Sequence, residues 1–215
     1  MTETSTTTTT KNAARALFDH PKVKEYYKEM CSEGSFVDQM ATDILSKDKY
    51  RAFLSQDSHF LYHFNRAYAM ALVLSPNVEQ QKIFHDLIGG VLEELNLHKG
   101  ACERWGVLET EIHPACQAYI DFLQSLHDSK SLDGLVAGMV PCMRLYASLG
   151  QEFVAKNRII KDCPYKEWFD EYFNEGIEGL AQLLESLLPE TITTEIETNY
   201  IEAMRLERDF FAAQI

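Results

Sequence analysis

Two carboxylates, a thiol and two phenols interrupt what would otherwise be continuous apolar helical stripes. A helix presents positions i, i+3, i+4 and i+7 on one face. In FLSQDSHFLYHF, residues 53–64, the stripe Phe53, Phe60, Leu61 and Phe64 contains Asp57. Over 111–128, Ile112, Cys116, Leu123 and Leu126 flank Tyr119. Over 131–160, Leu135, Met139, Tyr146, Leu149 and Phe153 contain Cys142. Near the end, Tyr200, Met204 and Phe211 contain Glu207.

Burying a carboxylate is costly unless it finds donors or takes up a proton. A bundle that turns Asp57 and Glu207 inward therefore has a polar cavity there. With Cys142, Tyr119 and Tyr146 it has the parts for thiol chemistry on a small polar heterocycle. The thiolate is the nucleophile, and a carboxylic acid donates and recovers a proton. Each residue also has a plainer reading. A buried Cys is a small core hydrophobe, a stripe Tyr is core with a bonded hydroxyl, and Asp57 or Glu207 pairs with the helix backbone or an arginine. What raises the chemical reading is that all five fall on inward faces.

The elements that must position these groups are helical. After the Thr-rich residues 2–10, which are too polar to bury much surface, helical periodicity runs almost to the end. The spacing predicts helices over 12–31, 35–46, 47–75, 77–105, 111–128, 131–160, 164–188 and 194–213. No period-two run or Asn-Gly hairpin suggests a strand. Breaks are expected at Gly34, Ser75-Pro76, Gly106, Ser129–Ser131, Cys163-Pro164 and Pro189. Thr194 with Glu197 makes a capping box for the last helix. Pro141, in PCMRLYASLG, must start or kink its helix, which gives Cys142 a special backbone position. The expected organisation is a disordered tail, 1–11, and one all-α domain, 12–215.

The chain has 215 residues, enough to bury its own core without a staple. Its net charge of −13 argues against nucleic acid or an anionic membrane as partner. The longest apolar run, AYAMALVL at 67–74, is too short to span a bilayer. Five cysteines without C-x-x-C spacing read as reduced thiols of a cytoplasmic protein.

Several segments resemble the TenA/thiaminase II family in its order: FLSQDSHFLYHF, AYIDFL (118–123), PCMRLYASLG, PYKEWFDEY (164–172) and AMRLERDFF (203–211). DHPKV at 19–23 and EELNLH at 93–98 resemble its N-terminal His-Pro segment and its Glu-x-x-x-His helix. The resemblance implies a haem-oxygenase-like helical bundle, usually a homotetramer, acting in thiamin salvage. It implies hydrolysis of 4-amino-5-aminomethyl-2-methylpyrimidine to the hydroxymethyl pyrimidine and ammonia, with cleavage of thiamin as a second activity. No cofactor is expected, and the partner is the small pyrimidine.

Carried over by position, Cys142 matches the nucleophile that adds to the ring. Glu207 matches the glutamate that handles a ring-nitrogen proton. Asp57 matches the carboxylate accepting from the ring amino group. Tyr119 and Tyr146 match tyrosines beside the thiol, Tyr172 a further tyrosine of the pocket, and Phe60 an aromatic suited to stacking. Ser148 stands where many members carry Glu, which bears on substrate preference.

Two other classes remain open. One is a di-iron or cofactorless oxidase on the same bundle, of which the di-iron form would need metal ligands. The chain has no Glu-x-x-His, but His59 with His63 and Glu94 with His98 each sit one turn apart. A non-catalytic pyrimidine-binding or regulatory protein would hold the ring without turning it over.

Overall fold

The structure, a computed structural model, describes residues 13–215, so the expected tail lies outside the described residues. Residues 13–18 are helical, and nine further helices follow. They are α1 (Pro21–Cys31), α2 (Phe36–Ala41), α3 (Lys47–Leu74), α4 (Val78–Trp105), α5 (Pro114–Asp128), α6 (Leu132–Gly150), α7 (Lys166–Tyr172), α8 (Glu175–Glu185) and α9 (Thr194–Ala212). Among the described residues there is no strand, so the all-α expectation holds. Among them, too, no helix is long and apolar enough to cross a membrane.

The helices begin where the sequence supplies an acceptor for their free N–H groups. Ser46, Asn77 and Ser131 cap α3, α4 and α6. His20 and His113 do the same for α1 and α5, each followed by a proline at the first helical position. Gly106 ends α4 in the left-handed region, φ 64°, as a residue without a Cβ can do at no cost.

Helix α6 is the axis of the bundle. Most of its 19 residues are buried, and it packs against α3, α5, α7, α8 and α9. A helix covered on all sides must be apolar all round, and LVAGMV meets that demand. The helix continues through Pro141. An interior proline costs roughly 3 kcal/mol, which the burial of Leu135, Met139, Leu145 and Leu149 offsets at roughly 1.5–3 kcal/mol each.

Five stretches differ from expectation. The helix expected over 35–46 stops at Ala41, after which Asp43 adopts φ 57°. The segment expected to run to 160 stops earlier. After Gly150 the backbone widens into a π turn, Gln151–Ala155. Asn157 then adopts φ 54° and closes it, the role a glycine usually takes. The segment 164–188 is two helices, because Asn174 accepts from the Ile177 N–H at 3.0 Å and starts α8 afresh. The last helix is capped by Thr193, which accepts from the Ile196 N–H at 3.3 Å, so the Thr194–Glu197 box does not form. The first segment breaks at 19–20, where His20 caps α1.

One close approach bears on the site. A Cβ on Gly150 would run into the backbone carbonyl oxygen of Tyr172. The end of α6 and the end of α7 can therefore touch main chain to main chain, which brings Tyr172 to the side of α6 that carries Tyr146.

Candidate active site

Asp57 is buried on α3, and its Oδ2 lies 3.5 Å from Nδ1 of His98 on α4. The other ring nitrogen, Nε2, is 2.9 Å from the Leu54 carbonyl oxygen. A carbonyl can only accept, so Nε2 carries a proton and Nδ1 is turned to the carboxylate. Burial pushes the Asp57 carboxyl up, and the charge of His98 opposes that. The neighbouring Gln56 anchors the loop before α5. It donates to Thr110 Oγ1 and to the Glu111 carbonyl, each at 3.0 Å, and accepts from the His113 N–H at 2.7 Å.

Glu207 is 1% exposed on α9. The Tyr119 hydroxyl, from α5, donates to its Oε1 at 2.9 Å. Burial raises its carboxyl to about 8, and the Tyr119 donor and the neighbouring Cys142 thiol oppose the rise. The Cys142 thiol is itself pushed well above its ordinary value, first by burial and then by the nearby carboxylates of Glu207 and Glu94. Thiol, carboxyl and phenol thus form one buried array across α6, α9 and α5.

Cys142 also faces a cavity of ≈ 30 Å³, whose walls include Asp57, Phe60, Tyr146, Tyr172, Met143 and Glu94. Five of the seven residues singled out in the sequence therefore line one space. The other two, Tyr119 and Glu207, stand behind the thiol. Phe60 stacks obliquely on Tyr119 with ring centroids 4.7 Å apart, and Tyr146 meets Tyr172 edge-on at 4.7 Å. Ser148 does not reach the cavity; its hydroxyl donates to the Arg144 carbonyl one turn back, at 2.7 Å. Arg144 turns away from the thiol to Glu178 and Glu185, at 2.9 and 2.6 Å.

A second, larger chamber of ≈ 660 Å³ lies between α3, α4 and α7. Tyr50, Trp105 and Trp168 form part of its wall, and Arg104, Lys166, Glu167 and Glu171 bring charge to it. Arg104 is bridged to Glu167 at 2.6 Å. Asp57, Glu94 and Tyr172 line both spaces, so they form the partition between them.

Glu94 and His98 were visible in the sequence as a one-turn pair that could chelate and as the Glu-x-x-x-His of the family resemblance, with no role given to either. In the structure His98 serves Asp57, and Glu94 faces the cavity of Cys142. Their i, i+4 spacing was the available signal. His59 is held at its Nε2 by the Thr110 carbonyl, 2.8 Å away. Among the described residues no group of three or more His, Cys, Asp or Glu side chains is arranged to hold a metal ion.

Comparison with known proteins agrees with this architecture. The model of the TENA/THI-4/PQQC family matches residues 20–215. The chain is 31% identical over 204 residues to the bifunctional TH2 protein, mitochondrial, of Arabidopsis thaliana, covering 81% of this chain and 33% of that protein. The chain therefore spans only about a third of that relative's length. It is 25% identical over 189 residues to an aminopyrimidine aminohydrolase of Halalkalibacterium halodurans, covering 82% of this chain and 84% of that protein. The crystal structure of a TenA homologue from Pyrococcus furiosus superposes with a TM-score of 0.84 at 15% identity, covering 94% of this chain and 98% of the other.

Proposed function

Because the chain belongs to the TENA/THI-4/PQQC family, we propose that it is a thiol-dependent hydrolase of aminopyrimidines, converting 4-amino-5-aminomethyl-2-methylpyrimidine to the hydroxymethyl pyrimidine and ammonia. The observation that carries this reading is Cys142 at the wall of a cavity that also holds Asp57, with the bonded pair Glu207–Tyr119 behind the thiol. The name of the Halalkalibacterium relative supports it.

In this reading the pyrimidine enters between Phe60 and the tyrosines, with its amino group on Asp57. Glu207, neutral at pH 7, gives its proton to a ring nitrogen. Cys142 adds to the ring carbon as its thiol proton passes to the Glu207 carboxylate. One C–S bond forms, aromaticity is lost, and electron density is available to expel the exocyclic amine. The amine takes up a proton and leaves as ammonia, and the water that adds at the exocyclic carbon gives one back. As the C–S bond breaks, Glu207 returns its proton to the thiolate and takes the one on the ring nitrogen. A carboxyl poised near 8 suits both directions of this exchange better than an ordinary one near 4.5. Tyr119 fixes the carboxyl so that its second oxygen is free for the thiol. Tyr146 and Tyr172 confine the ring.

The same reading takes the protein as a cytoplasmic homotetramer of thiamin salvage, with thiamin as a further substrate. Five free cysteines support a reducing compartment. Exposed Val73, Val78, Leu92 and Leu97 on α3 and α4 support burial against other copies.

The test is ammonia release with chromatography of the product, for wild type and Cys142→Ser. Turnover by wild type that falls at least a thousandfold in the variant, with the fold intact, bears the reading out. Equal turnover by both would overturn the thiol mechanism. No turnover by a folded wild type would overturn the hydrolase assignment.

A further inference from the structure

Expelling an amine poses a problem that the Cys142 array does not solve. Glu207 stands behind the thiol, 1% exposed and outside the cavity lining. The substituent that leaves has to depart toward open space, and the 660 Å³ chamber is reached through the partition of Asp57, Glu94 and Tyr172. Of these three, Asp57 is engaged by His98. The Tyr172 hydroxyl belongs to a phenol whose proton burial holds firmly in place. Glu94 is the remaining group. Among the described residues no side chain donates to it, and its charged neighbours are Asp57 and Glu171.

We infer that Glu94 is the acid that serves the leaving amine, holding one shared proton with the exocyclic nitrogen while the C–N bond breaks. This rests on the hydrolase reading above. The step balances simply. Glu94 as acid gives its proton to the aminomethyl nitrogen, making an ammonium beside a carboxylate. The electron pair released by the thiol-adducted ring breaks the C–N bond, and ammonia leaves neutral into the chamber. The water that replaces it gives one proton back to the Glu94 carboxylate and leaves the hydroxyl on carbon. Burial and the like charges around it keep Glu94 protonated near neutrality, at about 8, as this role requires. Glu171 on the chamber wall beyond, where Glu167 is already bridged to Arg104, then favours an ammonium as the product recaptures a proton from solvent.

A thiazolium leaving group needs no such help, because it departs as a neutral thiazole. Glu94 is therefore a specificity residue as well: it favours amine expulsion over thiamin cleavage. The experiment compares wild type, Glu94→Gln and Glu94→Asp with the aminomethyl pyrimidine and with thiamin, and measures the affinity of each protein for the hydroxymethyl product.

The expected result is a fall in kcat of about 100-fold for the aminomethyl substrate in Glu94→Gln, the usual scale of a lost general acid. The ratio of aminomethyl to thiamin turnover falls at least tenfold, product Kd stays within threefold, and Glu94→Asp recovers part of the loss. Equal losses on both substrates, no loss, a loss confined to KM, or product affinity falling in parallel would each overturn the inference alone. Should thiamin not be cleaved by wild type, the contrast between kcat and product Kd decides in the same way. A folded wild type inactive on the aminomethyl substrate overturns the hydrolase reading and this inference together.

Discussion

The Tyr119 hydroxyl meets Glu207 Oε1 at 2.9 Å, across 88 positions of sequence and with both side chains 1% exposed. A donated hydrogen bond to a buried carboxylate favours its charged form. Tyr119 is thus one of two groups keeping Glu207 near 8 and not higher. Tyr119→Phe removes that donor without opening space. The limb of the kcat/KM pH profile assigned to Glu207 should move upward by about one pH unit, with stability down by roughly 1 kcal/mol. An unmoved limb in an active variant would deny Glu207 a titrating role.

The raised carboxyl of Glu207 also sets a pH dependence of stability. Its folded value, about 8, lies above its ordinary 4.5. The folded state therefore binds the proton more tightly, and stability falls as pH rises between these values. The penalty is absent below 4.5 and complete above 8. Tyr119 and Cys142, which face it, are pushed up and stay neutral throughout the window; Asp57, also raised, adds in the same direction. Glu207→Gln should lose rate by at least 100-fold and flatten the decline by up to about 1.4 kcal/mol per pH unit. Chemical denaturation at pH 5, 6.5 and 8 measures it, and parallel curves for variant and wild type would sink the claim.

His98 holds Asp57 through Nδ1 and the Leu54 carbonyl through Nε2. His98→Ala leaves both without a partner. The Asp57 carboxyl should rise further, since the opposing histidine charge is gone. Thermal unfolding should show a loss of about 1–3 kcal/mol, and KM for the pyrimidine should rise several-fold, because a protonated Asp57 accepts less well from a ring amino group. An unchanged KM would remove Asp57 from the binding contacts.

Gly150 lets α6 reach the Tyr172 carbonyl. Gly150→Ala forces the two backbones apart and should cost about 1–3 kcal/mol, or a Tm drop of roughly 2–4 °C per kcal/mol in a chain of this size. Tyr172 moves with the backbone, so activity should fall more than tenfold at temperatures where the variant is still folded. Full activity would mean that Tyr172 is not needed in its observed position.

The buried polar groups were legible because their stripes are strongly apolar. Asp57, Cys142 and Glu207 each break a run of Phe, Leu or Met at helical spacing, and helical burial followed. Glu94 was harder to assign because α4 carries Leu92 and Leu97 exposed while Glu94 and His98 turn partly inward. Apolar periodicity there does not identify the face that meets the rest of the bundle. The misread ends share another cause. Asn157 and Asn174 did what Gly and Pro are expected to do, and of two adjacent threonines the first made the cap. No helical period distinguishes such alternatives; tertiary contacts choose between them.

The ≈ 30 Å³ beside Cys142 has room for a water or two, against the roughly 150 Å³ of a cavity that admits benzene. A methylated pyrimidine ring does not fit such a space, so the resting arrangement of Met143, Tyr146 and Tyr172 is a closed state. On the proposed function, the pyrimidine binds only molecules in which those side chains have parted, and its apparent affinity is the intrinsic affinity scaled by that fraction. A side chain trimmed at this gate would trade tight enclosure of the reacting ring for faster admission.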